Sequence, residues 1–61
     1  MNNIINITMR DIQTAFNNAS NKGLMNKPEE YMYMYTKTYE DGSTYDVFKN
    51  IMTRRHETVA I

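Results

Sequence analysis

Tyrosine alternates with methionine from Tyr31 to Tyr35, and threonine then alternates with Lys37 and Tyr39, within the segment from Glu30 to Asn50, EYMYMYTKTYEDGSTYDVFKN. A period of two indicates an extended strand, because successive side chains point to opposite faces of a sheet. The pair Asp41-Gly42 lies in the middle of this segment. An Asp-Gly pair between two alternating runs is a strong signal for a tight turn, so we predict a tyrosine-rich β-hairpin.

Two registers of this hairpin are compatible with the sequence. A two-residue type I′ turn at Asp41-Gly42 forms one opposite-charge pair and one aromatic pair, both favourable across strands. These pairs are Lys37–Asp46 and Tyr35–Phe48. A three-residue turn with Gly42 in the left-handed conformation shifts the register by one and gives Lys37–Tyr45 and Tyr35–Val47 instead. The charge and aromatic pairs favour the first register, which is our prediction.

A helix is predicted over residues 9–22. The apolar residues in this segment recur at helical spacing, which places them on one face. They are Met9, Ile12, Ala15, Phe16 and Ala19. Thr8 is the expected N-cap, with Asp11 three residues later, and Gly23 is the expected residue after the helix end.

The remaining segments complete a β-α-β-β-β order. Three isoleucines predict a short first strand over residues 3–7, and alternation near the C-terminus predicts a last strand over roughly 55–60. Residues 26–28, Asn-Lys-Pro, predict a turn before the hairpin. We expect a single domain over residues 1–61 of the α+β class, with one helix packed on a small, mostly antiparallel sheet of three or four strands.

One helix can cover only one face of such a sheet. Strict alternation places Tyr31, Tyr33 and Tyr35 on one face of the first hairpin strand, and Met32 and Met34 on the other. The face that the helix covers is left open by the sequence. If the methionines pack under the helix, the three tyrosines form an outward patch, and exposed aromatic patches on small proteins mark contact sites. The alternative is that the tyrosines are ordinary sheet residues, or that the methionines face outward.

Composition limits the classes of function. The chain has 61 residues, no cysteine, one histidine and a formal net charge of zero. Disulfides and thiolate metal sites are therefore excluded, a zinc site within one chain is disfavoured, and we expect no metal and no cofactor. No apolar run has the length needed to span a bilayer, and the N-terminus lacks the features of a signal peptide, so we expect a cytoplasmic protein without a membrane partner.

No residue pattern indicates catalysis. A catalytic histidine needs an orienting carboxylate and a nucleophile within reach, and His56 has no such partners at a diagnostic spacing. Arg54, Arg55 and His56 form the one basic concentration, which is typical either of a solvated loop or of a contact with an acidic or phosphate-bearing surface. We therefore expect that the protein is not an enzyme.

Our functional prediction is a small protein-binding module that inhibits or modulates a larger partner. The expected contact residues are Tyr31, Tyr33, Tyr35, Arg54 and Arg55. Small size, absence of cysteine and abundant asparagine are typical of short accessory proteins of compact genomes such as those of phages. If the chain is encoded by a phage, we expect an early or anti-defence protein that acts on a host protein in the host cytoplasm.

Two alternatives stay open at this stage. A tyrosine-rich sheet beside basic residues can bind single-stranded nucleic acid by stacking and phosphate contacts, here with Lys37, Lys49, Arg54 and Arg55. A chain of this size can also gain stability by burying a spare face or edge strand against its own copy as a homo-oligomer.

Overall fold

The computed structural model describes residues 3–23 and 27–61. Within them the chain forms one α-helix, one short 3₁₀ helix and four strands. In chain order these are β1 (Ile4–Thr8), α1 (Ile12–Asn21), the 3₁₀ helix (Pro28–Glu30), β2 (Tyr31–Tyr39), β3 (Thr44–Asn50) and β4 (His56–Ala60). The strands form one antiparallel sheet in the order β1-β2-β3-β4. The predicted α+β class and the β-α-β-β-β order are confirmed, whereas the start of the predicted turn at Asn26 lies outside the described residues.

The helix begins later than predicted. Thr8 is the last residue of β1 and lies opposite Thr36, so its backbone is extended and it does not cap the helix. Asp11 is the N-cap, and its Oδ2 accepts hydrogen bonds of 2.9 Å from both the backbone N–H and the hydroxyl of Thr14. The predicted helix end is close to the observed one, since Gly23 follows α1 with a positive φ of 68°.

The hairpin adopts the register with the three-residue turn, so our preferred register is wrong. The N–H of Tyr39 donates to the carbonyl of Ser43 at 2.9 Å, and the N–H of Gly42 donates to the carbonyl of Tyr39 at 3.0 Å. Gly42 has a φ of 88°, a left-handed conformation that glycine adopts without steric cost. The turn therefore contains residues 40–42, and Lys37 lies opposite Tyr45 rather than Asp46.

A β-bulge in β2 decides which side chains lie inside. Tyr33 lies opposite Phe48 and Tyr35 lies opposite Val47, so Met34 is one extra residue on β2 without a partner on β3. Residues that lie directly opposite each other in an antiparallel pair share a face, and Phe48 and Val47 are neighbours on opposite faces of β3. Tyr33 and Tyr35 consequently face opposite sides of the sheet.

The core lies between α1 and one face of the sheet. Its fully or nearly buried members are Ala15, Ala19, Tyr33, Phe48 and Val59. The two alanines have small side chains, which lets the helix approach the rings closely. The Phe48 ring makes edge-to-face contacts with Tyr33 and Phe16 at centroid distances of 5.8 and 5.0 Å. This helix-covered face is the one that Tyr33 occupies. Of the two alternatives left open by the sequence, the one in which Met32 packs under the helix is wrong, because Met32 is 50% exposed and lies opposite Lys49.

No helix formed by the described residues combines the length and apolar content that a bilayer-spanning helix requires.

Candidate functional site

The tyrosines of β2 are divided between the two faces of the sheet. Tyr33 is only 7% exposed and belongs to the core, so its ring is not accessible to a partner. Tyr31 is half-buried against the same core, and its hydroxyl donates to Glu57 at 2.7 Å. Tyr35 lies on the face that the helix does not cover. The expectation that Tyr31, Tyr33 and Tyr35 form one outward patch is wrong, because the bulge at Met34 interrupts the alternation on which it rested.

A buried polar network fixes Tyr33 in place. Asp46 is fully buried beside it and accepts a hydrogen bond of 2.9 Å from Arg10 Nε, while Arg10 Nη2 contacts its second oxygen. Thr36 donates to Asp46 at 2.7 Å, and the Tyr33 hydroxyl lies 2.6 Å from the Thr36 hydroxyl. The backbone N–H of Arg10 donates to the Tyr33 hydroxyl at 3.0 Å.

The direction of these hydrogen bonds follows from the charge of Asp46. An ionised carboxylate only accepts, so the Thr36 hydroxyl donates to it and in turn accepts from the Tyr33 hydroxyl. Burial acts to raise the pKa of the Asp46 carboxyl, but the hydrogen bonds from Arg10 and Thr36 and the charge of Arg10 outweigh burial and lower the pKa below its usual value. The network joins the segment before α1 to the middle of the sheet, and its polar groups are mutually satisfied.

The helix α1 covers one face of the sheet, and we call the opposite face the open face. Its positions follow from the strand pairings, since directly opposed residues share a face. Its members are Ile4, Ile7, Met32, Tyr35, Lys37, Tyr39, Tyr45, Val47, Lys49, His56, Thr58 and Ala60. Val47 lies at its centre between Tyr35 and Thr58 and is 2% exposed, whereas the tyrosines around it are half-exposed.

The aromatic residues of the open face are grouped near the hairpin turn. The rings of Tyr39 and Tyr45 meet edge to face with centroids 5.6 Å apart. Lys37 Nζ lies 5.2 Å from the centre of the Tyr39 ring, within the range of a cation–π interaction. Together with Ser43 and Thr58 these side chains line a shallow depression of about 410 Å³. The depression therefore offers aromatic surface beside a positive charge.

Charge is distributed unevenly although the net charge of the chain is zero. None of the described residues on the open face is acidic, while Lys37 and Lys49 both lie there. The described acidic side chains lie in the hairpin turn, at the start of α1, in the 3₁₀ helix, or on the helix-covered face of the sheet, as Asp46 and Glu57 do. The open face is thus a positively charged and aromatic surface.

Arg54 and Arg55 lie in the loop between β3 and β4, and both are exposed. Neither forms an ion pair with another described residue. The loop is closed by backbone hydrogen bonds from Arg54 N–H to the Asn50 carbonyl at 2.7 Å and from Asn50 N–H to the Arg55 carbonyl at 2.8 Å. Asn50 is buried, and its side-chain oxygen accepts from two further loop N–H groups, at Met52 and Thr53.

Arg54 has a φ of 64°, which is the left-handed conformation. Arginine pays a steric cost of about 1–2 kcal/mol there that glycine avoids. A strained backbone at an exposed, unpaired arginine is the kind of outlier that often accompanies a functional contact. Of the predicted contact residues, only Tyr33 is buried; Tyr31 is partly exposed on the helix side, and Tyr35, Arg54 and Arg55 are accessible elsewhere. The sequence reasoning did not include Tyr39, which shares the face of Tyr35 by alternation, or Tyr45, which the register places there.

The described residues include no group of three or more His, Cys, Asp or Glu side chains placed to hold a metal ion. His56 is exposed on β4 opposite Lys49. The open face offers ring surfaces, ammonium groups and hydroxyls, which suit non-covalent binding.

No protein-family model, curated protein or solved structure matches this chain.

Proposed function

We propose that the chain is a non-enzymatic protein-binding module that inhibits or modulates a larger partner by covering part of its surface. The observation that carries the proposal is the open face, where Tyr35, Tyr39 and Tyr45 lie on the side of the sheet opposite α1. Tyrosine offers a large contact area with few rotatable bonds and is enriched at the energetic centres of protein interfaces. The phage origin, the host protein as target and the cytoplasmic location stay predictions from size and composition.

The charge of the open face supports an acidic surface on the partner. Lys37 and Lys49 lie on this face without a described carboxylate beside them. Lysines at the edge of an interface speed association and select partners of opposite charge more than they add to affinity. We therefore assign the tyrosines to the centre of the contact and the lysines to its charge complementarity.

Arg54 and Arg55 form a second part of the proposed contact. Their loop follows β3 directly after Lys49, and both guanidinium groups are free of described carboxylates. The strained backbone of Arg54 supports a role for its side chain, since glycine at this position relieves the strain but loses the charge. An arginine binds carboxylates through two parallel hydrogen bonds, which fits an acidic partner.

A second candidate function is the binding of single-stranded nucleic acid. It is favoured by the contact of Lys37 with the Tyr39 ring beside Tyr45, because bases stack on aromatic rings while cations bind the backbone phosphates. Lys49, Arg54 and Arg55 supply the further cations of this alternative. It predicts an affinity that falls steeply as the salt concentration rises.

The test is affinity capture from a cell lysate with the immobilised wild-type chain, followed by direct binding measurements on each captured protein. Two variants alter the open face, Tyr35→Ser and Lys37→Glu. We expect both to reduce the affinity for a true partner at least tenfold, while circular dichroism stays that of the wild type. The matched control is Lys27→Glu, since Lys27 is exposed outside the open face and changes the net charge by the same amount.

The proposal is contradicted if Tyr35→Ser, Lys37→Glu and the control all bind the captured protein with equal affinity. Fluorescence anisotropy with a labelled single-stranded oligonucleotide, at low and at moderate salt, separates the second candidate from the first. Strong binding at low salt that Lys37→Glu abolishes, in the absence of any protein partner, replaces the protein-binding function with the nucleic-acid function.

A further inference from the structure

The two edges of the sheet differ in how they are protected. β1 and β4 are its edge strands, and an edge strand presents unpaired N–H and C=O groups to which another strand can pair. On β4, the carbonyl of Ala60 accepts hydrogen bonds from the side chains of Asn18, at 2.9 Å, and Lys22. β4 also carries the charged residue Glu57. The helix therefore covers part of this edge, and the charged residue disfavours pairing with another strand.

β1 has neither form of protection. All five of its residues, IINIT, are exposed and none is charged. Ile4, Ile5 and Ile7 are 45%, 64% and 59% exposed. None of the hydrogen bonds from described side chains ends on the β1 backbone, in contrast to the Asn18 and Lys22 contacts on β4. Uncharged, β-branched edge strands are the type that proteins ordinarily blunt with lysine, proline or a covering loop.

We propose that β1 is the pairing surface for a second copy of this chain, which forms a two-fold symmetric dimer by antiparallel β1–β1 pairing. The sequence of β1 favours pairing with its own copy because the strand has no charged residue, so the two copies bring no like charges together. The net charge of zero adds no long-range repulsion between the two chains. A chain of about 60 residues also buries a small fraction of its surface alone and gains stability by association.

The register of the pairing follows from the faces. Ile4 lies opposite Tyr39 and Ile7 opposite Lys37, so both isoleucines belong to the open face. A bulge between Ile4 and Asn6 brings them to the same side although they are three residues apart. A register that places Ile4 against Ile7 of the second copy therefore forms two apolar cross-strand pairs, one on each side of the two-fold axis.

This dimer has a consequence for the open face. Antiparallel pairing of two edge strands in one continuous sheet requires a two-fold axis perpendicular to the sheet. The sheet then has eight strands, and the open faces of the two copies lie on the same side. Dimer formation is measured with the isolated chain, so the dimer can fail its test without any effect on the proposed partner binding, and the reverse.

The first test is sedimentation equilibrium of the wild type from micromolar to millimolar concentration. We expect the average mass to rise from one chain toward two, and the variant Ile7→Lys to remain monomeric because it brings charge into the pairing edge. Met52→Lys is the matched control, since Met52 is 75% exposed in the β3–β4 loop and receives the same charge. A wild type that stays monomeric at millimolar concentration overturns the proposal, as does a dimer that Ile7→Lys leaves intact.

The second test does not depend on added charge. The chain has no cysteine, so Ile4→Cys and Ile7→Cys each introduce a single thiol. Opposed residues of an antiparallel pair have Cα atoms about 4.5–5.5 Å apart, which suits a disulfide. We expect a mixture of the two variants to oxidise to a mixed disulfide-linked dimer in preference to either homodimer. A statistical distribution of the three products overturns the proposed register.

Discussion

Tyr33 and Tyr35 lie two residues apart in β2 and face opposite sides of the sheet. The strand pairing places Tyr33 opposite Phe48 in the core and Tyr35 opposite Val47 on the open face. The cause is the extra residue at Met34, which adds one side chain without adding a partner on β3. The bulge thereby places one tyrosine in the core and the other on the open face.

The different roles of these two tyrosines predict different responses to removal of the hydroxyl group. Tyr33→Phe loses the hydrogen bonds to Thr36 and to the Arg10 N–H, so we expect the free energy of unfolding to fall by about 1–2 kcal/mol. Tyr35→Phe changes a half-exposed residue for which no hydrogen bond is observed within the described part of the chain, and we expect a change below about 0.5 kcal/mol. Urea unfolding followed by circular dichroism measures both, and equal effects would contradict the assignment of Tyr33 to the buried network.

The Arg10–Asp46 pair predicts a second stability effect. Asp46 is fully buried, whereas the Arg10 side chain is 27% exposed. Asp46→Asn leaves the guanidinium without its counter-charge and turns an acceptor into a group that also donates, so we expect a loss of about 2–3 kcal/mol at neutral pH. Glu29→Gln removes the same charge from an exposed position and is the control, for which we expect a negligible loss.

The same pair makes stability depend on pH. The pKa of Asp46 is lowered in the folded state. Between the folded and the unfolded pKa of this carboxyl, the folded protein therefore binds fewer protons than the unfolded one. The stabilisation is therefore fully present above the unfolded pKa of about 3.9 and is lost as the pH falls through the lower folded value. Asp11, whose pKa is lowered by the Thr14 N–H and hydroxyl, acts in the same direction. Thermal unfolding between pH 7 and pH 2 should show this decline, and a curve for Asp46→Asn as steep as that of the wild type would argue against it.

The conformation of Arg54 predicts opposite effects on stability and on binding. Arg54→Gly relieves a left-handed backbone and should raise the free energy of unfolding by about 1 kcal/mol, while it weakens the binding of an acidic partner. Arg55 is not among the residues with positive φ, so Arg55→Gly gains no such relief and should lower stability by roughly 0.5–1 kcal/mol. Chemical denaturation of the two variants provides the comparison. A loss of stability in Arg54→Gly would show that the backbone at this position is not strained.

The sequence predicts much of the fold but less of the candidate site. Periodicity, Gly23 and Asp41-Gly42 locate the helix, its end and the hairpin, because each signal is local. The choice between the two hairpin registers is not local, because Gly42 suits both turns. In the observed register Lys37 and Asp46 do not lie opposite each other. Asp46 pairs instead with Arg10, which is 36 residues away in the sequence.

The bulge explains why strict alternation does not give the faces of the β2 tyrosines. Met34 has no property that distinguishes it from Met32. Neither residue is a glycine, which in a strand often indicates a bulge. Because the alternation is interrupted there, Tyr33 lies in the core while Tyr35 and Tyr39 lie on the open face, and the hairpin register places Tyr45 beside them. Arg54 and Arg55 lie in an exposed loop, which needs no register to place it, and their role in binding stays a prediction.

The most direct test of this account is a nuclear Overhauser experiment on the isolated chain, which reports proton pairs closer than a few ångströms. We predict cross-peaks between the Phe48 ring and the rings of Tyr33 and Phe16, and between the Tyr39 and Tyr45 rings. We predict none between the Tyr35 ring and α1. Cross-peaks from the Tyr35 ring to Ala15 or Ala19 would place that tyrosine under the helix and contradict both the bulge and the open face built on it.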